Sequence, residues 1–199
     1  NWGLKSLGEC CILNPSKNQN KRLNSNLMVS FVPMSSVLEN GNIDVTDIRE
    51  YQKVRNGFTY FAENDVLFAK ITPCMENGKG AIAQGLYNGI GFGSTEFHVL
   101  RPIEKKSNSY WLYALTTSEK FRMEAASKMT GSAGQRRVPA LFLENYKVCL
   151  PPIILQNQFE TFVRSINALK LTIRLCVDKM EVLKNSLMQK FFGQQGEYI

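Results

Sequence analysis

One stretch of this 199-residue chain is made of residues suited to holding an anion. Thr130-Gly131-Ser132-Ala133-Gly134-Gln135-Arg136-Arg137 contains no apolar side chain larger than Ala. Glycines and small hydroxyl residues let backbone N–H groups approach a phosphate, and the tandem arginines supply charge. Gln135 carries the donor and acceptor that read an adenine edge or bind a backbone. Lys70, Thr72 and the turn Asn77-Gly78-Lys79-Gly80 form a second polar, basic edge, and the Asn-Gly step marks a tight reversal. By themselves these residues fit either nucleic-acid contact or a solvated surface loop.

Nucleophilic, acid–base and metal chemistry have weaker support. The single histidine, His98, stands between Phe97 and Val99 in an apparent strand and has no patterned partner, so it reads as a structural or surface residue. The carboxylates are scattered. Cys10, Cys11, Cys74, Cys149 and Cys176 form no C-x-x-C pair, so no zinc site is expected, and their odd number without framework spacing argues for a reducing compartment. Gly89-Ile90-Gly91-Phe92-Gly93 holds a G-x-G, but no buried strand precedes it and no helix follows it, so hairpin glycines explain it better than a cofactor loop. Leu150-Pro151-Pro152-Ile153 lacks both the polar residue and the aromatic of an adenine-methyltransferase loop. The chain is therefore not expected to be an enzyme by itself, nor to hold a metal or cofactor.

The elements that must position these residues can be read from periodicity. Trp2 to Ile12 reads as a short amphipathic opening, with Lys5 and Glu9 arguing against a signal peptide. Strands are expected in 25–33, 59–71, 80–83, 92–100 and 146–150, with a joining segment at 89–93. A short helix capped by Asp44 or Thr46 is expected in 45–55, one helix capped by Ser109 over 109–129, and a turn or helix at 141–145. The result is an α+β fold: a mixed, mostly antiparallel sheet domain with a short helix layer, followed by one long C-terminal coiled-coil helix.

That last helix is the clearest signal. Leu155, Phe159, Phe162, Ile166, Leu169, Ile173, Cys176, Met180, Leu183 and Leu187 alternate spacings of four and three without a break. This is a heptad seam about 50 Å long, free of Gly and Pro. Leu171, Leu175 and Val182 widen the apolar surface beyond a two-stranded seam. A seam left in water gives a lone helix little reason to persist, so a partner helix is implied; the other reading is a long core helix of a single domain. No other segment matches it in length. The expected organisation is a globular domain over 1–150, the helix over 151–192 and a tail over 193–199.

Composition agrees with a globular protein. Apolar residues make up 44% and charged residues 21%, and no run is long enough for a membrane span. The net charge of +7 divides as 18 basic against 13 acidic residues up to Leu150 and 6 against 4 afterwards. The excess on the globular part points to a polyanionic partner.

Several of these stretches, in this order, resemble the specificity (S) subunit of type I restriction-modification systems. They are Trp2-x-x-x-x-x-Leu7-Gly8-Glu9, Asn64 to Pro73, Glu76-Asn77-Gly78-Lys79 and Ser94-Thr95-Glu96-Phe97-x-Val99-Leu100-Arg101-Pro102. Thr130-Gly131-Ser132-x-x-Gln135-Arg136-Arg137-Val138-Pro139 and Leu150-Pro151-Pro152-x-x-x-Gln156 complete the set and are the most specific. Leu155-Gln156 stands where the family usually has Glu-Gln.

The resemblance implies a target-recognition domain and one conserved spacer helix, half of a two-domain subunit. The chain would act as the DNA sequence-recognition subunit, reading one half of a bipartite site in double-stranded DNA and docking the modification (methyltransferase) subunit. It would pair through its helix as a homodimer, with half-sites roughly 15 base pairs apart. DNA methylation with S-adenosylmethionine, and ATP hydrolysis and cleavage, would belong to the modification and restriction subunits, in the cytoplasm. Carried over position by position, Lys70, Thr72, Asn77, Lys79, Ser94, Thr95, Thr130, Gly131, Ser132, Gln135, Arg136 and Arg137 are expected near DNA. The other reading is a coiled-coil adaptor whose head binds nucleic acid without sequence preference, or binds protein.

Overall fold

The computed structural model describes residues 2–20, 23–38, 41–132 and 134–193. In chain order they form β1 (Gly3–Ser6), α1 (Leu7–Cys10), β2 (Cys11–Leu13), β3 (Met28–Val32), β4 (Ile48–Glu50), α2 (Tyr51–Val54), β5 (Thr59–Ala62), β6 (Val66–Ala69), β7 (Gly80–Ile82), β8 (Ile90–Gly93) and β9 (Phe97–Pro102). There follow α3 (Ser109–Thr117), α4 (Glu119–Ser127), α5 (Ala140–Asn145), β10 (Lys147–Leu150) and α6 (Ile153–Phe192). The chain divides into two units, Asn1–Asn157 and Gln158–Ile199. The fold is α+β, as the periodicity predicts. Of the tail placed at 193–199, residues 194–199 lie outside the described residues.

The continuous apolar run Val66-Leu67-Phe68-Ala69 is buried on both faces because β6 is an inner strand of one sheet and a second sheet covers it. The first sheet, β2-β9-β6-β7, is antiparallel throughout. The second, β4-β3-β8-β5, is antiparallel except that β3 and β8 run parallel with Phe31 beside Phe92. Strand alternation sends Leu67 into a core shared by the two sheets, with Val32, Phe61, Phe97 and Val99. It sends Phe68 the other way, edge-on against Phe121 of α4 at 5.8 Å. Phe121 in turn meets Phe142 of α5 and Tyr146. A further core on the second sheet gathers Val29, Phe31, Tyr60, Ile90 and Phe92 under Val54 of α2. A two-stranded ribbon, β1-β10, brings the N-terminal segment beside 147–150.

Five expectations need correction. The segment 89–93 is not a connector, because Ile90–Gly93 is an inner strand. Its glycines serve packing: a Cβ on Gly91 would lie 2.0 Å from the Phe61 ring. The helix expected over 109–129 is two helices. Ser118 takes an extended conformation (φ −63°, ψ 143°), ends α3 and caps α4 through its hydroxyl. Asn108, rather than Ser109, caps α3, accepting from Trp111 N at 2.9 Å. In 45–55, Asp44 binds Thr46 in a local turn and the chain then forms β4 before the short α2. The opening 2–12 is broken into strand, short helix and strand.

In α6, Gln156 is buried at 1% exposure. Its Oε1 accepts from Asn108 N at 3.0 Å, and its Nε2 donates to Lys106 O at 2.9 Å and Pro151 O at 2.8 Å. The amide thus holds the first turn of α6 to the loop before α3, all within the first unit. The helix runs for 40 residues, about 60 Å. Within the second unit most of its apolar side chains are exposed, from Phe159 at 40% to Val182 at 70%, while Val163 and Ile166 are half-buried. No helix among the described residues is long and apolar enough to cross a membrane.

Gln156→Ala leaves the half-buried Asn108 N–H, the Lys106 carbonyl and the buried Pro151 carbonyl without this partner and is expected to cost about 2 kcal/mol. Gln156→Glu should be worse at neutral pH, where a carboxylate faces two carbonyls, and should recover as acid protonates it. Urea unfolding midpoints at unchanged slope measure both effects.

Candidate nucleic-acid interface

The basic residues are gathered by backbone pairing. Beyond β6, Lys70 donates its N–H to Glu96 O at 2.9 Å and accepts from Val138 N at 2.9 Å; Thr72 N then donates to Arg136 O at 3.0 Å. Thr130 and Arg137 exchange a pair of backbone hydrogen bonds at 3.0 and 2.8 Å, closing the loop between them. Gly131 holds φ +118°, a left-handed conformation suited to glycine. Three loops, 70–79, 94–96 and 130–137, therefore adjoin one another at the end of β6.

All twelve positions expected near DNA lie on these loops. Thr95, Asn77, Thr130, Gly131, Ser132, Gln135 and Arg136 are exposed, whereas Lys70, Thr72, Lys79, Ser94 and Arg137 are half-buried. Several have structural work. Asn77 N binds Pro73 O at 3.0 Å and Lys79 N binds Cys74 O at 2.9 Å, closing the turn. Ser94 Oγ accepts from Glu96 N at 3.2 Å, and Thr72 Oγ1 donates to Met129 Sδ at 3.7 Å. Burial lowers the Lys70 ammonium pKa, partly offset by Glu96.

Sequence reasoning passed over the carboxylates. Arg136 Nη2 meets Glu76 Oε1 at 3.2 Å. Arg137 meets Glu96 through Nε at 2.9 and 3.2 Å and through Nη2 at 2.8 Å, and its Nη1 donates to Gln135 O at 2.9 Å. The Arg137 guanidinium holds the Glu96 carboxyl below its ordinary range, and Glu96 raises Arg137 in return. Glu76 and Glu96 sit inside two of the stretches that carry the family resemblance, so their presence was visible but their pairing was not. Arg122 had no local signal; it reaches across from α4 to donate to Glu76 O at 2.5 Å.

His98 supports this region from below. It is buried, and its Nε2 binds Val138 O at 2.9 Å. Asn14 Oδ1 accepts from Val99 N at 3.0 Å, which orients the amide so that its Nδ2 donates to His98 Nδ1 at 3.1 Å. The imidazole is therefore neutral, with its proton on Nε2. A second proton on Nδ1 would face the Asn14 NH2, and burial lowers the pKa below the ordinary 6.5. Lys70 disfavours that proton further, while Glu96 and the Val138 carbonyl favour it. Among the described residues no group of three or more His, Cys, Asp or Glu is arranged to hold a metal.

Comparison with known proteins finds the family of the type I restriction modification DNA specificity domain matching residues 1–173. The chain is 42% identical over 149 residues to the type I restriction enzyme EcoAI specificity subunit of Escherichia coli, covering 74% of this chain and 25% of that protein. It is 39% identical over 153 residues to the EcoEI specificity subunit of the same organism, covering 76% and 25%. Its fold is similar to the HsdS subunit of Thermoanaerobacter tengcongensis, with a TM-score of 0.64 at 22% identity, over all of this chain and 51% of that one. The chain thus spans about a quarter of the length of the curated relatives it matches.

Because His98 binds fewer protons folded than unfolded just below pH 6.5, stability is expected to fall as pH drops through that value. The melting midpoint followed from pH 7.5 to 5.5 checks this, and His98→Gln should flatten the slope over that window.

Proposed function

The chain belongs to the type I restriction-modification DNA specificity family, and on that footing we propose that its globular part reads one half of a two-part site in double-stranded DNA. The observation that carries this reading is the meeting of the three loops at the end of β6. Together they present Lys70, Lys79, Arg136 and Arg137 beside the hydroxyl and amide groups of Thr95, Thr130, Ser132 and Gln135. Basic groups position a protein on phosphates, and amide and hydroxyl groups read base edges. Rigid strands hold the loops, as a register-dependent reader requires.

The seam of α6 serves assembly in this reading. A second copy of the chain covers the apolar line from Leu155 to Leu187, and the homodimer reads an inverted repeat. The modification subunit docks on the helices and methylates adenine with S-adenosylmethionine. The restriction subunit hydrolyses ATP and cleaves DNA. The chain itself selects sequence and does no covalent chemistry, and the complex works in the cytoplasm.

Selection from randomised duplexes by the purified chain, with its modification subunit added, should enrich an inverted repeat with a fixed spacer. Binding without enrichment would instead favour an adaptor whose head takes nucleic acid without sequence preference. Independently, Ile166→Asp with Ile173→Asp should convert dimers to monomers in sedimentation; a double variant that stays dimeric would move the interface off the seam.

A further inference from the structure

Arg136 and Arg137 are adjacent and equally charged, yet they are held differently. The Arg136 side chain makes one contact, at 3.2 Å to Glu76, and its backbone carbonyl accepts from Thr72 N. Arg137 is clamped at both ends. Its backbone exchanges two hydrogen bonds with Thr130, and it lies opposite Ile71 in an antiparallel bridge whose bonds are made by its neighbours Arg136 and Val138. Its guanidinium takes three contacts from Glu96 and one from Gln135 O. Glu96 is held in turn by the Ser94 hydroxyl on its N–H and by Lys70 N on its carbonyl. The plane of the guanidinium is fixed, while the side chain remains 41% exposed.

A guanidinium has five N–H donors. Glu96 occupies Nε–H and one hydrogen of Nη2, and Gln135 O occupies one of Nη1. One hydrogen remains on each terminal nitrogen, giving two donors in a fixed plane. A phosphate anchor gains nothing from such a clamp: the carboxylate cancels the arginine's charge and repels a phosphate at the same time. The clamp does supply direction. In the major groove, guanine offers two adjacent acceptors, O6 and N7, in the spacing that an arginine fork matches.

We propose that Arg137 reads a guanine in the half-site through its two remaining N–H groups, with Glu96 as the positioning residue that aims them. Arg136, Lys70 and Lys79 then supply the phosphate contacts. This inference rests on the DNA-reading function proposed above, so its test keeps the two apart.

The full chain is first used to select its half-site from randomised duplexes. If the unaltered chain enriches no half-site, the proposed function fails and this inference with it. Given a half-site, each of its guanines is replaced in turn by 7-deazaguanine, which removes N7 without touching the protein. One position should weaken binding about tenfold or more. Arg137→Lys keeps the charge but loses the fork. It should become indifferent to that replacement and relax preference at that position alone. Glu96→Gln should relax the same position while binding unrelated duplex more tightly, and Glu96→Asp should restore the preference. If no 7-deazaguanine position matters, or if Arg137→Lys keeps the full preference, Arg137 is not the reader, although the DNA-reading function stands. If Glu96→Gln keeps the preference, Glu96 does not aim it.

Discussion

Everything in the candidate interface depends on how the backbone of Lys70–Thr72 is paired. This short segment extends β6, an inner strand buried between a second sheet and a helix layer. Its N–H and C=O groups hold 94–96 on one side and 136–138 on the other. A loop as rich in glycine and as poor in apolar side chains as 130–137 has only a few internal hydrogen bonds, chiefly the Thr130–Arg137 pair, to set against its backbone entropy. Hydrogen bonds to the extension of a buried inner strand supply the rest of the order. His98 reinforces the same junction through the carbonyl of Val138, and its own orientation is set by Asn14.

Charge at the interface is less than the composition suggests. The globular part carries most of the excess of basic residues, but both arginines of the loop meet carboxylates. The balance between attraction and orientation is struck locally. Each ion pair removes a positive charge from the field felt by a polyanion, and each narrows the directions in which a guanidinium can point. Exposed pairs of this kind contribute little to folding stability, so their consequence lies in geometry.

The second unit shows a different economy. The first turn of α6 belongs to the globular unit and is held there by one buried amide, Gln156. The rest of the helix carries its apolar line into solvent. A helix of 40 residues with such a line has its hydrophobic stabilisation still to gain, and contiguous exposed apolar surface marks a place of association.

Local patterns in the sequence were enough to determine the helix of the second unit, because heptad spacing reports a face without reference to anything else. They also determined the types of residue at the three loops and most of the strands, since apolar runs bounded by turns report burial. Tertiary structure alone decided what these residues do. The partners Arg137 and Glu96 are 41 positions apart, and Asn14 and His98 are 84 apart; no periodicity connects them. The glycines at 91 and 93 look like turn residues until Phe61 and Val32 are brought against them. Ser118 reads as helical until its hydroxyl finds Phe121 N. Spacing along the chain encodes which side of an element is buried, whereas pairing between elements is encoded only in the packing that brings them together.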